Sequence, residues 1–477
     1  MQALCYIDGR WVEGDSTFSV TDPATGKAIG TASEASASMA TEAIDAASQA
    51  LPVWSALPAK DRSNILRKIA EHLLDAVDRI ADVVVAEQGK TASQAAFEVK
   101  YAAEWITWFA EEGRRTYGRV IPTHSPAKRL MVLRQPVGIA VAITPWNFPV
   151  AMIARKLAPA LAAGCTMVVK PAEQTPLSAA ALFEILDEAG LPPGVANCVT
   201  TSDPVAISPH LLQDPRVRKI TFTGSTEVGK LLVRESGNNL TRVSLELGGH
   251  APFIVFEDAD LEAAVTGLLT SKFQVTGQSC LCPNRIFVHE EVEEEFIALL
   301  TAAVSSLVVG PGSKSGVDIG PLIDRQTFEK VQGHVDDAVA QGASVTVGGS
   351  RVEGAGFDDG FFFAPTIIQH CTDTMKITTE ETFGPVVPLM SFSTDEDVLA
   401  RANDTQYGLA AYFYTNDLRR SLRVAERLEY GMVGVNDPTP ATPSGPFGGM
   451  KESGLGREGG FEGIDAFLES KLISTVI

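Results

Sequence analysis

From about residue 137 the chain alternates short apolar runs with stretches of helical period. Gly138–Thr144 (GIAVAIT) reads as a buried strand, and Val150–Ala163, after the loop TPWNFP, as a helix. Thr166–Lys170, Val195–Thr200 and Lys219–Thr223 read as further strands, with helices over Pro176–Ala189 and Ser225–Glu235 between and after them. The strands are apolar on both faces, which predicts a parallel sheet covered by helices on both sides. A second alternating set starts near Pro252 (PFIVF). It runs through Arg285–His289, a helical Glu291–Leu307, Pro385–Phe392 and Leu409–Tyr414, and the boundary between the sets falls at Gly248–Gly249. The last segment, Phe467–Ile477, reads as a strand with no helix after it. Such an edge needs a partner, either another subunit or a small separate sheet.

Composition narrows the class. A chain of 477 residues with 45% hydrophobic and 21% charged residues has room for two or three folded domains. The net charge of −20 argues against nucleic acid or an anionic membrane as partner. It leaves open a small anion held by one or two arginines. Six cysteines (5, 165, 198, 280, 282, 371) are too sparse for a disulfide framework. Val137–Ala154 carries no charge, but Gly138, Pro145, Asn147 and Pro149 break it as a spanning helix. The opening MQALCYIDGRW has no signal-peptide pattern, so the expectation is a soluble cytoplasmic protein. The seven histidines are dispersed, and no metal-ligand spacing occurs.

Five segments carry candidate chemistry. In GQSCLCPN (277–284), Cys280 sits in a loop-forming context; it is either an accessible nucleophile or an inert core thiol. In LELGGH (245–250), Glu246 ends an apolar run, where burial disfavours the charged form and tunes a carboxylate toward general-base work; the alternative is a strand-end ion pair. TPWNFP (144–149) follows a strand, and Asn147 either donates to an oxyanion or caps the next helix. In KPAEQTP (170–176), Lys170 and Glu173 suit a ribose or form a surface pair. In FTGSTEVG (222–229), Ser225 opens a helix and either meets a phosphate or only caps, without a capping box because Val228 stands at its third position.

Together and in this order, these segments resemble the NAD(P)-dependent aldehyde dehydrogenases, as do EETFGPV (380–386), NDTQYGLAA (403–411) and PFGGMKESGLGREGG (446–460). The likeness spans essentially the whole chain. Within the family, EEGRRTYGRVIP (111–122), ARKLAPALAAGCT (154–166) and the CLC at 280–282 resemble the succinate-semialdehyde dehydrogenases. The resemblance implies an α/β fold with a Rossmann-like cofactor domain (1–116 and 136–247), a catalytic domain (248–460) and a small oligomerisation β-flap (117–135 and 461–477). It implies Cys280 as nucleophile, Glu246 as base, and Asn147 with the Cys280 N–H as oxyanion hole. It assigns the cofactor to Thr144, Trp146, Lys170, Glu173, Gly224, Ser225, Glu381 and Phe383. Glu173 opposes a 2′-phosphate, so NAD is expected over NADP, with NADP possible. Expected partners are a small aldehyde and further copies of the chain, as a dimer or tetramer.

Substrate choice is a fork. The succinate-semialdehyde enzymes clamp a carboxylate with two arginines and a serine. Arg155 matches the first arginine; eight residues at ~100° each return to within ~80° of Asn147 on a helix, so one tunnel is expected to hold both. The second position is Gln274, and the serine falls at about Ala441 or Thr442. Phe447 completes the expected substrate set. The expectation is a small anionic aldehyde, succinate semialdehyde or a relative; sulfonated, keto-acid and neutral aldehydes are the alternatives. Some succinate-semialdehyde enzymes form an inhibitory disulfide between the positions of Cys280 and Cys282, which makes Cys282 a redox candidate. Coenzyme A-dependent relatives typically lack the glutamate at 246, and a retired structural scaffold would have lost Cys280, Glu246 or Asn147.

Overall fold

The computed structural model describes residues 1–477 and contains two large sheets and two small ones. Of the four helices that precede the first βα unit, the last two, α1 (Val77–Gln88) and α2 (Ala92–Glu112), bear on the site. That unit is β1 (Ile139–Ile143) and α3 (Pro149–Ala163), followed by β2 (Thr166–Lys170), α4 (Pro176–Glu188), β3 (Ala196–Cys198), β4 (Val217–Thr223), α5 (Thr226–Ser236) and β5 (Arg242–Glu246). These strands lie in the order β5–β4–β1–β2–β3 and are parallel. Cys5–Ile7 and Arg10–Val12 extend the sheet beyond β3, and Gly454–Leu455 pairs antiparallel with β5 at the other edge.

Side-chain alternation divides each strand between two cores. Val141 and Val168 face one cluster with Ile44 and Ile220, while Ala140, Ala142, Met167 and Val169 face another with Trp54, Trp105 and Phe109. Both faces are thus dry, which is why the strands read as continuous apolar runs. Helix α3 is buried at all fifteen positions; Pro149 starts it and Gly164, at φ 96°, ends it in the left-handed region.

The second large sheet contains β6 (Ala251–Val255) and β7 (Pro283–His289), flanked by parallel strands at 386–392 and 410–414. Chain passes from β5 to β6 through Gly248–Gly249, so both strand ends face the same crevice. The terminal strand Leu468–Val476 pairs antiparallel with Lys128–Pro136 over nine residues, within a separate three-stranded sheet. No helix is long and apolar enough to cross a membrane.

Candidate active site

The β1–α3 turn presents Asn147, which is 4% exposed. Its Oδ1 accepts from Phe148 N–H (3.1 Å) and its Nδ2 donates to Gln278 O (3.0 Å), leaving one amide hydrogen free. Asn147 lies before the helix and is not its cap: Phe148 holds the cap position without a side-chain bond. The free N–H groups of Val150 and Ala151 donate instead to Glu98 Oε1, at 2.8 and 3.1 Å. A third residue therefore does the capping, and the amide of Asn147 is left for a ligand.

Cys280 follows a turn in which Val275, Thr276 and Gly277 all adopt positive φ (50°, 59° and 75°). That conformation costs roughly 1–2 kcal/mol for a non-glycine residue, so the surroundings must impose it. Thr276 Oγ1 donates to Gly320 O (3.1 Å), and Gln278 Nε2 donates to Val275 O (3.1 Å). Gln278 Oε1 accepts from Ile323 N–H at 2.9 Å. The backbone of Cys280 also runs against Gly249: a Cβ there would stand 2.1 Å from Cys280 O, so only glycine fits.

Two cavities meet at Cys280 and Met152. The first, about 220 Å³, is lined by Trp146, Asn147, Gly224, Ser225, Glu381 and Phe383 among others. Glu381 accepts from Gly249 N–H (2.9 Å), and burial raises its carboxyl to about 7. Phe383 stands edge-on to Trp146, 5.5 Å between ring centres. Ser225 caps α5, its Oγ accepting from Val228 N–H at 3.4 Å, and remains at the cavity wall. Thr144, Lys170 and Glu173 do not line this cavity. Thr144 Oγ1 is buried without a partner, and Lys170 Nζ lies 3.6 Å from Glu173 Oε2 at the end of β2. Burial lowers the Lys170 ammonium and Glu173 opposes the shift. A carboxyl on the cavity wall beside the Gly249 N–H, a glycine–serine helix start and an edge-on aromatic pair suit a dinucleotide.

The second cavity, about 100 Å³, is lined by Arg155, Gln274, Tyr101, Tyr412, Ala441 and Phe447 with other mostly apolar groups. Arg155 and Asn147 thus line adjoining cavities; the helical-face argument put both on α3, whereas Asn147 precedes it. Arg155 is buried, not a surface cation. Its guanidinium lies 3.7 Å from the Phe447 ring centre and 4.9 Å from that of Trp105. Nη2 is 2.8 Å from Glu458 Oε2, and Nη1 points to Met152 Sδ at 3.6 Å. Yet Nε and Nη2 have no partner in hydrogen-bonding geometry. No serine lines this cavity near 441–442; Thr439 brings the hydroxyl there.

Glu246 lines neither cavity. It is 2% exposed at the end of β5, with Oε2 unpartnered and Oε1 2.7 Å from where a Cβ on Gly448 would stand. Burial holds its carboxyl far above the usual range, the charge of Glu458 adds to that, and Arg155 and Lys156 oppose it. Burial likewise pushes the Cys280 thiol up to about 12, with Arg155 the leading opposing charge. Burial thus favours the neutral form of both side chains, and Arg155 favours the charged form of each. Lys156 donates to Glu458 Oε1 (2.5 Å) and Thr223 Oγ1 (2.7 Å). Cys282 is fully buried, its Sγ donating to the carbonyls of Lys272 (3.5 Å) and Pro283 (3.7 Å).

Reading the sequence missed Glu98, Gln278 and the role of Glu458. Glu458 stood inside a quoted motif, and its signal is a carboxylate amid glycines; Glu98 had none, because the groups it caps are over fifty residues away.

The profile of the aldehyde dehydrogenase family matches residues 11–473. The chain belongs to the aldehyde dehydrogenase family. It is 50% identical over 470 residues to a glutarate-semialdehyde dehydrogenase of Pseudomonas putida, covering 98% of this chain and 96% of the relative. It is 50% identical over 472 residues, with the same coverage, to an NADP-dependent succinate-semialdehyde dehydrogenase of Escherichia coli. A 3-sulfolactaldehyde dehydrogenase of Pseudomonas putida is 48% identical over 475 residues, 99% of this chain and 97% of that one. The protein is an oxidoreductase of this fold, and the family uses NAD(P).

Proposed function

We propose that this aldehyde dehydrogenase oxidises a small aldehyde bearing a second, anionic group, such as succinate or glutarate semialdehyde, to the carboxylic acid. The carrying observation is Arg155: a buried guanidinium at the wall of a cavity that opens on Cys280, ion-paired with Glu458 through Nη2 and with Nε unpartnered. A substrate carboxylate or sulfonate supplies the missing acceptor. The relatives named for glutarate, succinate and sulfolactaldehyde substrates support an anionic aldehyde.

The residues divide the reaction as follows. The Cys280 thiol passes its proton to water, its Sγ bonds to the aldehyde carbon, and the C=O π pair moves onto the carbonyl oxygen, which becomes an oxyanion. The free amide hydrogen of Asn147 and the Cys280 N–H meet that charge. A nicotinamide dinucleotide held in the first cavity would supply the hydride acceptor. When the former aldehyde carbon loses its hydride and the oxyanion reforms the carbonyl, the acyl group remains on Cys280 as a thioester. In its ionised form, which Arg155 and Lys156 favour, Glu246 takes a proton from water, the resulting hydroxide adds to the thioester carbon, and the C–S bond breaks to release the acid, the departing Cys280 thiolate taking a proton back. Glu381 binds the nicotinamide ribose in this scheme and Ser225 the pyrophosphate. Lys170 and Glu173 bind the adenine ribose, with NAD preferred because Glu173 repels a 2′-phosphate.

The chain is also proposed to form a homo-oligomer. Val120, Met131, Leu472, Val476 and Ile477 leave apolar surface exposed on and beside the three-stranded sheet, which supports burial against another copy. Light scattering on the eluted protein measures this; a monomer at micromolar concentration refutes it. For the substrate, kcat/KM is measured with succinate semialdehyde, glutarate semialdehyde, 3-sulfolactaldehyde and propanal. The expected result is a preference for the anions of at least about tenfold. Equal values for propanal would favour the reading in which the apolar wall and neutral Gln274 accept any aldehyde.

A further inference from the structure

Among the charged side chains buried outside the cavities, Lys90 and Glu98 form an ion pair beside the Asn147 turn. Lys90 and Glu98 have fully buried side chains and pair at 2.6 Å (Nζ to Oε2). Such a pair gives little net stability, because desolvation consumes most of its attraction, so its placement asks for another account. Each partner reaches the Asn147 turn. Lys90 Nζ donates to Asn147 O (2.7 Å) and lies 4.1 Å from the Phe148 ring centre. Glu98 Oε1 takes the N–H groups of Val150 and Ala151. Two consecutive residues before α3, Asn147 and Phe148, and two in its first turn, Val150 and Ala151, are thereby tied to one ion pair carried on α2 and the hinge before it.

That hinge is itself fixed against the Cys280 side of the site. Gly312 and Gly320 approach the backbone at 89–90 so closely that a Cβ would stand 2.1 Å from Lys90 O or 2.3 Å from Gly89 O. Ala92 N–H donates to Gly312 O (3.0 Å), and Gly320 O accepts from Thr276 in the strained turn before Cys280. The pair therefore sets Asn147 in the same frame as the nucleophile. We propose that Lys90 and Glu98 are positioning residues that aim the free amide hydrogen of Asn147 at the substrate oxyanion. This rests on Asn147 being the oxyanion donor.

The test is a double-mutant cycle of Lys90→Met and Asn147→Ala, read as kcat at saturating cofactor and aldehyde. Asn147→Ala is expected to lower kcat on the order of a hundredfold or more, the size of a lost oxyanion donor. Lys90→Met is expected to lower it about tenfold or more. In the Asn147→Ala background Lys90→Met is expected to cost less than about twofold, because its target is gone. Leu300→Ala, a cavity variant in the core of the other large sheet, is the stability control: it lowers Tm and keeps kcat within about twofold. Independent, multiplying effects of the two variants overturn the proposal, as does Lys90→Met with wild-type kcat. A silent Asn147→Ala defeats the underlying reading instead. If Lys90→Met does not fold, Glu98→Gln enters the same cycle with the same criteria, since glutamine keeps an acceptor for Val150 and Ala151 while removing the counter-charge.

Discussion

Replacing Arg155 by methionine separates charge from shape. Methionine fills the slot between Phe447 and Trp105 with an apolar chain, so packing there is largely kept. Glu458 retains Lys156 at 2.5 Å and is not orphaned, so the loss in stability stays below the ~3–5 kcal/mol of breaking a buried pair outright. The substrate anion loses a hydrogen bond to a charged donor, about 1.5–3 kcal/mol, or roughly 10- to 150-fold in kcat/KM. A neutral aldehyde loses none of this. A second effect reaches both substrates: without Arg155, Cys280 and Glu246 each lose the positive charge that favours ionisation. Their pKa values rise further, and the alkaline-rising limb of the pH–rate profile moves to higher pH for every aldehyde. The assay is therefore the ratio of kcat/KM for succinate semialdehyde to that for propanal, measured from pH 6 to 10 in wild type and variant. The ratio is expected to fall about tenfold or more at every pH while the limb moves alkaline. A ratio unchanged within about twofold refutes Arg155 as the anion anchor, whatever happens to absolute rates.

Glu246→Gln is expected to release one equivalent of reduced cofactor in the first turnover and then stall, since acylation survives and hydrolysis does not; rapid-mixing absorbance reads the burst, and undiminished steady turnover counts against the base. The Glu381 carboxyl, raised to about 7, is protonated below that pH and ionised above it, and only the ionised form accepts from both ribose hydroxyls. The cofactor KM is thus expected to rise as pH falls below about 7, and Glu381→Gln to flatten that dependence. Glu173→Ala is expected to raise kcat/KM for NADP relative to NAD, with no change in the ratio ruling out repulsion as the selector. Cys282→Ala is expected to slow the recovery of peroxide-treated protein by dithiothreitol if a Cys280–Cys282 bond forms; recovery equal to wild type excludes that bond, as the buried seat of Cys282 argues.

The layered fold was legible because its strands are dry on both faces: GIAVAIT, TMVVK and PFIVF admit few other readings. The terminal strand was legible as an edge in need of a partner, and Lys128–Pro136 supplies it. Cys280, Glu246 and Asn147 were singled out by ordered motifs, each individually weak, and their roles stand as the proposal above. What sequence could not reveal is the company these residues keep. Arg155 read as a surface or tunnel cation, and only packing brings Glu458, about three hundred residues later, against it. Likewise Asn147 had two jobs on paper, and a glutamate on another helix removes one of them. The loop context of Cys280 left open an accessible nucleophile or an inert core thiol, and nothing in it foretold that burial would push the thiol up to about 12.

The distribution of thiols has a practical side. Five of the six cysteines are sealed in the interior, and Cys280 alone has surface open to a reagent. A slow alkylating probe applied to native protein therefore titrates intact centres one per chain, and a mass shift of a single adduct reports the usable fraction of any preparation. Because the thiol titrates near 12, the labelling rate should climb about tenfold per pH unit across the neutral range. A ligand that brings the thiolate forward would announce itself as faster labelling at constant pH, before any turnover is observed.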